Sequence, residues 1–256
     1  MKDILSRAGR AVLQQYAWSN VLVAFDYDGT LAPIVADPER ALMRKATREL
    51  LHRVSKAYPV VVISGRTRPD ALRKLRGAGV IEVIGNHGIE PRYAAARHEA
   101  EVRRWLPTLT RCVAPFRGVS IEDKTYSVTV HYRRAREKKK ARAAILAAAA
   151  ELGAVRLIGG KQVVNILPIG APHKGIALES ERDRLGCDTA IYIGDDETDE
   201  DVFGLDQPGR LLTVRVGRKR GSQAAYYVSS QAAIDDFLAA LLSLRQEPDL
   251  ALAAHS

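Results

Sequence analysis

Two aspartates one residue apart close an otherwise apolar run, VLVAFDYDGTL at 21–31, and a second stretch, IYIGDDETDEDVF at 191–203, is acidic at every position from Asp195 to Asp201 except Thr198. Two carboxylates as near as Asp26 and Asp28 do not comfortably stay ionised together unless a cation lies between them or one keeps its proton. Period-two geometry brings both to the same side of a strand end, and Gly29 lets the chain turn sharply there. Such a pair suits a Mg²⁺ site in which one aspartate attacks phosphorus and the other handles a proton. Acids stabilise the first turn of a helix, but so steep a concentration of negative charge in a chain of formal net charge +9 is better explained by a cation.

Two further pieces supply positive and hydroxyl groups. VVVISGR places Ser64 and Arg66 after a short β-branched run, where a hydroxyl and a guanidinium can hold anionic oxygens. Lys174, in HKG, begins a helical pattern, a position where the helix dipole disfavours lysine and favours a bound phosphate.

The elements that must position these residues alternate along the chain. NVLVAFDYD, PVVVIS, IEVIG, TAIYIG and LLTVRV read as strands. Between and after them, helices are predicted at MRKATRELLHRVSKAY, around 68–76, at Lys174–Leu185, near 199–205 and around 231–244. Continuous apolar strands separated by helices imply a parallel sheet covered on both faces, which binds ligands at the carboxyl ends of its strands. From about Arg92 to Pro168 the pattern changes. A helix containing Trp105 is followed by GVSIEDKTYSVTVHYR, whose alternation predicts one long half-exposed strand. A basic and Ala-rich helix follows, then AVRLIGG and KQVVNILP as two strands across a Gly159–Gly160 turn. This predicts a small antiparallel sheet backed by helices, inserted into the parallel domain: a first core segment 1–91, a cap 92–168 and a second core segment 169–256. No internal repeat interrupts the scheme.

Composition is that of an ordinary soluble globular protein, 46% hydrophobic and 27% charged over 256 residues. MKDILSRAGRAVLQQYAW lacks the continuous apolar core of a signal peptide, and no run reaches the length of a membrane span. Cys112 and Cys187 are the only cysteines, so the expected setting is a reducing cytoplasm. The densest basic run, RRAREKKKAR at 133–142, lacks the interleaved aromatics that stack bases and reads as a solvated helix face, so no nucleic-acid partner is expected. Oligomeric state has no signature in the sequence.

Taken in order, each at a strand end or helix start, DYDGTL, SGR, HKG and GDDETDE resemble the motifs of the haloacid dehalogenase superfamily of Mg²⁺-dependent phosphatases, and more narrowly the trehalose-6-phosphate phosphatases. The resemblance implies a Rossmann-like α/β core with an inserted α+β cap. It also implies Asp26 as nucleophile, forming an aspartyl-phosphate, and Asp28 as acid and then base, with its backbone carbonyl facing the metal. Ser64 and Lys174 would hold the transferring phosphoryl group. Asp195 would be the remaining Mg²⁺ ligand, with Asp196 and Asp199 in support. GNHGIE at 85–90 resembles the family's stretch bordering the active site, implicating Asn86 and His87 in substrate binding; Glu122-Asp123-Lys124 and HYR at 131–133 resemble the family's cap motif, in which the residues matching Glu122 and Lys124 grip sugar hydroxyls, and Arg66 would help the substrate bind.

One position departs from the family pattern. VVNILP carries Asn165 where a glutamate is usual, and an amide both donates and accepts, so the sugar recognised can differ. The expected substrate is trehalose 6-phosphate. The alternatives are another glycosyl phosphate, namely sucrose-6-phosphate, a glucosylglycerol phosphate or mannosyl-phosphoglycerate, or a nucleic-acid-binding protein on an inactive phosphatase core.

Overall fold

The computed structural model describes residues 1–35, 37–160, 162–205 and 207–246. The chain begins with β1 (Lys2–Asp3), α1 (Arg7–Ala17), β2 (Val21–Phe25), α2 (Lys45–Ala57), β3 (Val60–Ile63), α3 (Arg68–Lys74) and β4 (Glu82–Ile84). A second layer follows: α4 (Ala96–Val113), β5 (Ser120–Asp123), β6 (Val128–His131), α5 (Lys138–Glu151), β7 (Val155–Gly160) and β8 (Val163–Pro168). The chain then returns through α6 (Lys174–Arg184), β9 (Thr189–Gly194), α7 (Glu200–Phe203), β10 (Leu211–Val216), β11 (Tyr226–Val228) and α8 (Ile234–Gln246).

The larger sheet has the order β1-β11-β10-β9-β2-β3-β4, and every pairing in it is parallel. Strands buried on both faces explain the unbroken apolar runs. Val21, Val23 and Phe25 enter one core cluster with α1, α2 and α8, while Leu22 and Ala24 enter the opposite cluster with α6 and α7. From β2 the chain steps to β3 on one side and later to β9 on the other, so the crevice at the carboxyl end of β2 is the switch point where open α/β sheets bind ligands.

The smaller sheet, ordered β5-β6-β8-β7, is antiparallel throughout. Val128, Val130, Val164 and Ile166 pack with Trp105 and Ile145 under α4 and α5, and the alternate residues face the parallel domain. Two sequence expectations are corrected in it. The stretch 118–133 is a hairpin rather than one strand: Glu122 pairs with Thr129 and Asp123 with Val128, with Thr125 at φ 70° in the turn. No glycine or proline marks that reversal; the Asp123 carboxylate accepts from the Thr125 amide at 2.8 Å and holds it. Gly159 and Gly160 are likewise not the turn but the last residues of β7, opposite Val164 and Val163. A Cβ on Gly159 would lie 2.9 Å from the Glu197 carboxylate, so this glycine permits the second sheet to approach the acidic loop. No helix among the described residues is long and apolar enough to cross a membrane.

Candidate active site

Adjacent parallel strands deliver the acids. β2 pairs with β9 up to Phe25 opposite Ile193, so Asp26 and Asp195 emerge side by side, and Ser64 leaves β3 on the other flank of β2. Lys174, at the start of α6 and only 1% exposed, donates from Nζ to Asp26 Oδ1 at 2.8 Å and to Asp199 Oδ1 at 2.7 Å. Burial acts to lower the Lys174 pKa, but Asp199 and Asp26 outweigh it and keep the ammonium charged, above its ordinary value. Burial pushes the Asp26 carboxyl up; Lys174 opposes this, and Asp199 and Asp195 push further.

Such crowding of acids is what a cation relieves. Asp26, Asp195 and Asp199 each offer an oxygen, all within 4.8 Å of one another. Oxygen donors without His or Cys suit Mg²⁺. The backbone is cut to fit: a Cβ on Gly29, at φ 85°, would fall 2.2 Å from the Asp195 carboxylate, and one on Gly194 would fall 2.3 Å from that of Asp199. The acids are not equivalent. Asp199 Oδ1 also accepts from the Tyr192 hydroxyl at 2.7 Å and Oδ2 from the Asp196 amide at 2.8 Å, so Asp199 braces the group from behind. Asp196 caps the turn 197–199 and directs its carboxylate toward Gly160 of the second sheet.

The Asp28 carboxylate does not join this cluster. Its two oxygens accept from Arg66, Nε at 2.6 Å and Nη2 at 2.7 Å. Arg66 is held in turn by Asp70 through Nη1 at 2.6 Å and by the Pro38 carbonyl at 2.8 Å. Ser64 is buried, and its Oγ accepts from the Arg66 amide at 3.2 Å, shaping the loop on which the guanidinium stands.

Between the two sheets lies a cavity of about 600 Å³, within the range of small-molecule sites. Its floor carries Asp26, Asp28, Arg66 and Lys174; its roof is the polar face of the smaller sheet, with Glu122, Lys124 and Asn165. Lys124 donates to the Gly65 carbonyl at 2.8 Å and stands 3.9 Å from Glu122. Burial would push the Glu122 carboxyl up, but His131 at 2.7 Å and Lys124 outweigh it and hold it below the ordinary carboxylate value. Asn165 Oδ1 accepts from Thr129 Oγ1 at 2.7 Å, and its Nδ2 points to the Ile158 carbonyl at 3.4 Å. His87 lines the cavity, and neither of its buried ring nitrogens has a partner among the described residues; burial first, then Lys124, Lys174 and Arg156, lower its pKa well below the ordinary histidine value. Asn86, by contrast, is fully buried behind the wall, and the structure does not bring it to the cavity.

Sequence reasoning missed several residues. Arg215, a lone charge in LLTVRV, reaches across from β10 to the carbonyls of Asp195 and Asp196 and to Glu200 at 2.8 Å, fixing the acidic loop. A single arginine inside an apolar strand was the available signal. Thr129 shares the roof with Glu122 through cross-strand pairing that needs the hairpin register to be seen, and the same register brings His131, already marked by HYR, beside them.

The profile described as trehalose-phosphatase matches residues 24–228. A trehalose 6-phosphate phosphatase of Zea mays is 32% identical over 248 residues, 85% of this chain and 68% of that protein. The trehalose-phosphate phosphatase of Mycobacterium tuberculosis is 32% identical over 245 residues, 88% of this chain and 62% of that longer protein. Among solved structures, the C-terminal domain of the C. albicans trehalose-6-phosphate phosphatase superposes with a TM-score of 0.77 at 22% identity, covering 95% of this chain and 98% of that one. A trehalose-6-phosphate phosphatase related protein superposes with a TM-score of 0.70 at 26% identity, covering 87% and 97%.

Proposed function

The chain belongs to the trehalose-phosphatase family, and from that premise we propose that it hydrolyses trehalose 6-phosphate to trehalose and phosphate in two displacements on Asp26. The observation that carries the reading is the buried Asp26–Lys174 bond at the floor of a cavity whose roof is a polar sheet face.

Lys174 engages Oδ1 of Asp26, which leaves Oδ2 to attack phosphorus while the bond to the sugar oxygen breaks. Asp28 gives that oxygen its proton. It then takes one from water, whose oxygen attacks phosphorus and releases phosphate and the Asp26 carboxylate. Both Asp28 oxygens accept from Arg66, so Asp28 must leave Arg66 to reach the sugar oxygen. Mg²⁺ would be held by Asp26 and Asp195, with Asp199 behind them, and when bound supplies neutralisation of the charge on the phosphoryl oxygens. Residues 92–168 serve as a cap that excludes water from the aspartyl-phosphate, and Glu122 and Lys124 grip the sugar. Two free thiols support work in a reducing cytoplasm. We assign no nucleic-acid partner to the basic surface, where Lys140 of α5 is paired with Glu137.

Asn165 favours a second reading, a different glycosyl phosphate. Its amide is bonded to Thr129 and the β7 backbone rather than presenting a carboxylate to hydroxyl groups. Phosphate release across a panel of sugar phosphates with Mg²⁺ tests both. The first reading expects trehalose 6-phosphate to lead the panel; another glycosyl phosphate in the lead would replace the substrate and keep the chemistry.

A further inference from the structure

Asn86 was expected to touch substrate, yet it is 0% exposed and every polar group of its side chain is bonded elsewhere. Nδ2 donates to the Lys124 carbonyl at 2.9 Å and to Glu90 Oε2 at 3.0 Å, and Oδ1 accepts from Ser127 Oγ at 2.6 Å. Lys124 and Ser127 are the two ends of the β5–β6 turn, and Ser127 is itself 1% exposed. One core side chain therefore grips both ends of one turn of the smaller sheet, out of water's reach.

The backbone around Asn86 is built for this grip. Asn86 and His87 stand at φ 50° and 59°, a region non-glycine residues seldom adopt and asparagine tolerates best. Gly85 lets the chain pass where a Cβ would lie 2.3 Å from the Arg68 amide, and that amide donates to Glu90 Oε2 at 2.7 Å, fixing the carboxylate that orients Asn86. The Asn86 amide also donates to the Arg66 carbonyl at 2.7 Å and the His87 amide to that of Ser64 at 2.9 Å. The same short segment thus holds the loop carrying Ser64 and Arg66 on one side and the turn carrying Lys124 on the other.

Resting on the cap reading above, we propose that Asn86 and Ser127 are positioning residues: a buried clamp that docks the β5–β6 turn and so sets Lys124 and Glu122 over the sugar in register with the Arg66 loop. Lys124 is tied to it directly: its carbonyl accepts from Asn86 while its Nζ donates to the Gly65 carbonyl. Opening the cap breaks the Asn86–Lys124 and Asn86–Ser127 bonds together with the Lys124–Gly65 bond.

Ser127→Ala, Asn86→Ala and the double variant test this on the full chain, with trehalose 6-phosphate, p-nitrophenyl phosphate and amide hydrogen exchange as readouts. Ser127→Ala is expected to lower the ratio of kcat/KM for the sugar phosphate over the aryl phosphate by about three- to tenfold, the fold-change of one buried hydrogen bond, mainly through KM. Exchange should rise at 124–127 and 85–88 but not in β2 or β9, and the double variant should lose less than the product of the single losses. An unmoved ratio, unmoved exchange at 124–127, or equal losses on both substrates with exchange raised in β2 and β9 would each overturn the clamp. A parent that cleaves the aryl phosphate but not trehalose 6-phosphate would reject the substrate alone, and exchange in Ser127→Ala then decides the clamp by itself.

Discussion

Arg66 grips both carboxylate oxygens of Asp28, at 2.6 and 2.7 Å, so the residue proposed to move protons rests in a two-point ion pair rather than beside Asp26. The grip is rigid because Asp70, the Pro38 carbonyl and the ring of Tyr27 hold the guanidinium from its other sides.

Arg66→Lys replaces a planar fork by a compact ammonium, which cannot reproduce the parallel two-point bond to Asp28 while also serving Asp70 and the Pro38 carbonyl. We expect kcat/KM for the sugar phosphate to fall by about ten- to a hundredfold with the melting temperature nearly unchanged. Asp70→Asn, which reaches Asp28 only through Arg66, should cost less. Steady-state kinetics of both variants decide the matter, and parental values for Arg66→Lys would show that the pair has no part in turnover.

Asp26→Asn keeps the shape of the side chain and removes the attacking carboxylate. Turnover should fall by several orders of magnitude while circular dichroism stays that of the parent. Activity retained above about 1% would refute the covalent role.

Metal removal probes the crowded acids. EDTA should abolish phosphate release and Mg²⁺ restore it, because the donors are carboxylate oxygens without histidine or cysteine. Full activity after exhaustive chelation is the result that sinks this assignment, and rescue by Zn²⁺ alone would point to a different donor set.

Glu122 supplies a pH test. Burial would raise its pKa, but the bond from His131 and the charge of Lys124 hold it below the ordinary value. The carboxylate form is the one that grips hydroxyls, so its contribution is complete above the ordinary glutamate pKa of about 4.3 and is lost only as pH falls through the lower native value. In His131→Ala the native value moves up, so KM for the sugar phosphate should begin to rise at a higher pH than in the parent. KM profiles between about pH 4 and 6 read this directly, and superimposable acid limbs would show that His131 does not set the state of Glu122.

The parallel sheet could be read from the sequence because its cause is local: strands buried on both faces must be continuously apolar, and Asp26, Ser64 and Asp195 then stand where VLVAF, VVVI and TAIYIG end. The acidic stretch and the lysine opening α6 were visible for the same reason, as charges at element boundaries. Partnership was not visible. Lys174 meets Asp26 across 148 residues and Arg66 meets Asp28 across 38, and only the sheet order decides which strand ends are neighbours. Arg215, Tyr192 and Thr129 act through side chains inside strands, where sequence shows a residue but not the face or the neighbour it meets. The hairpin at Lys124–Ser127 has the same period-two alternation as an unbroken strand, so neither the reversal nor the approach of Ser127 to Asn86 could be read from the pattern. Asn86 shows the limit most plainly: its place in GNHG puts it near the site, but three buried bonds, to Lys124, Ser127 and Glu90, turn its side chain away from the cavity.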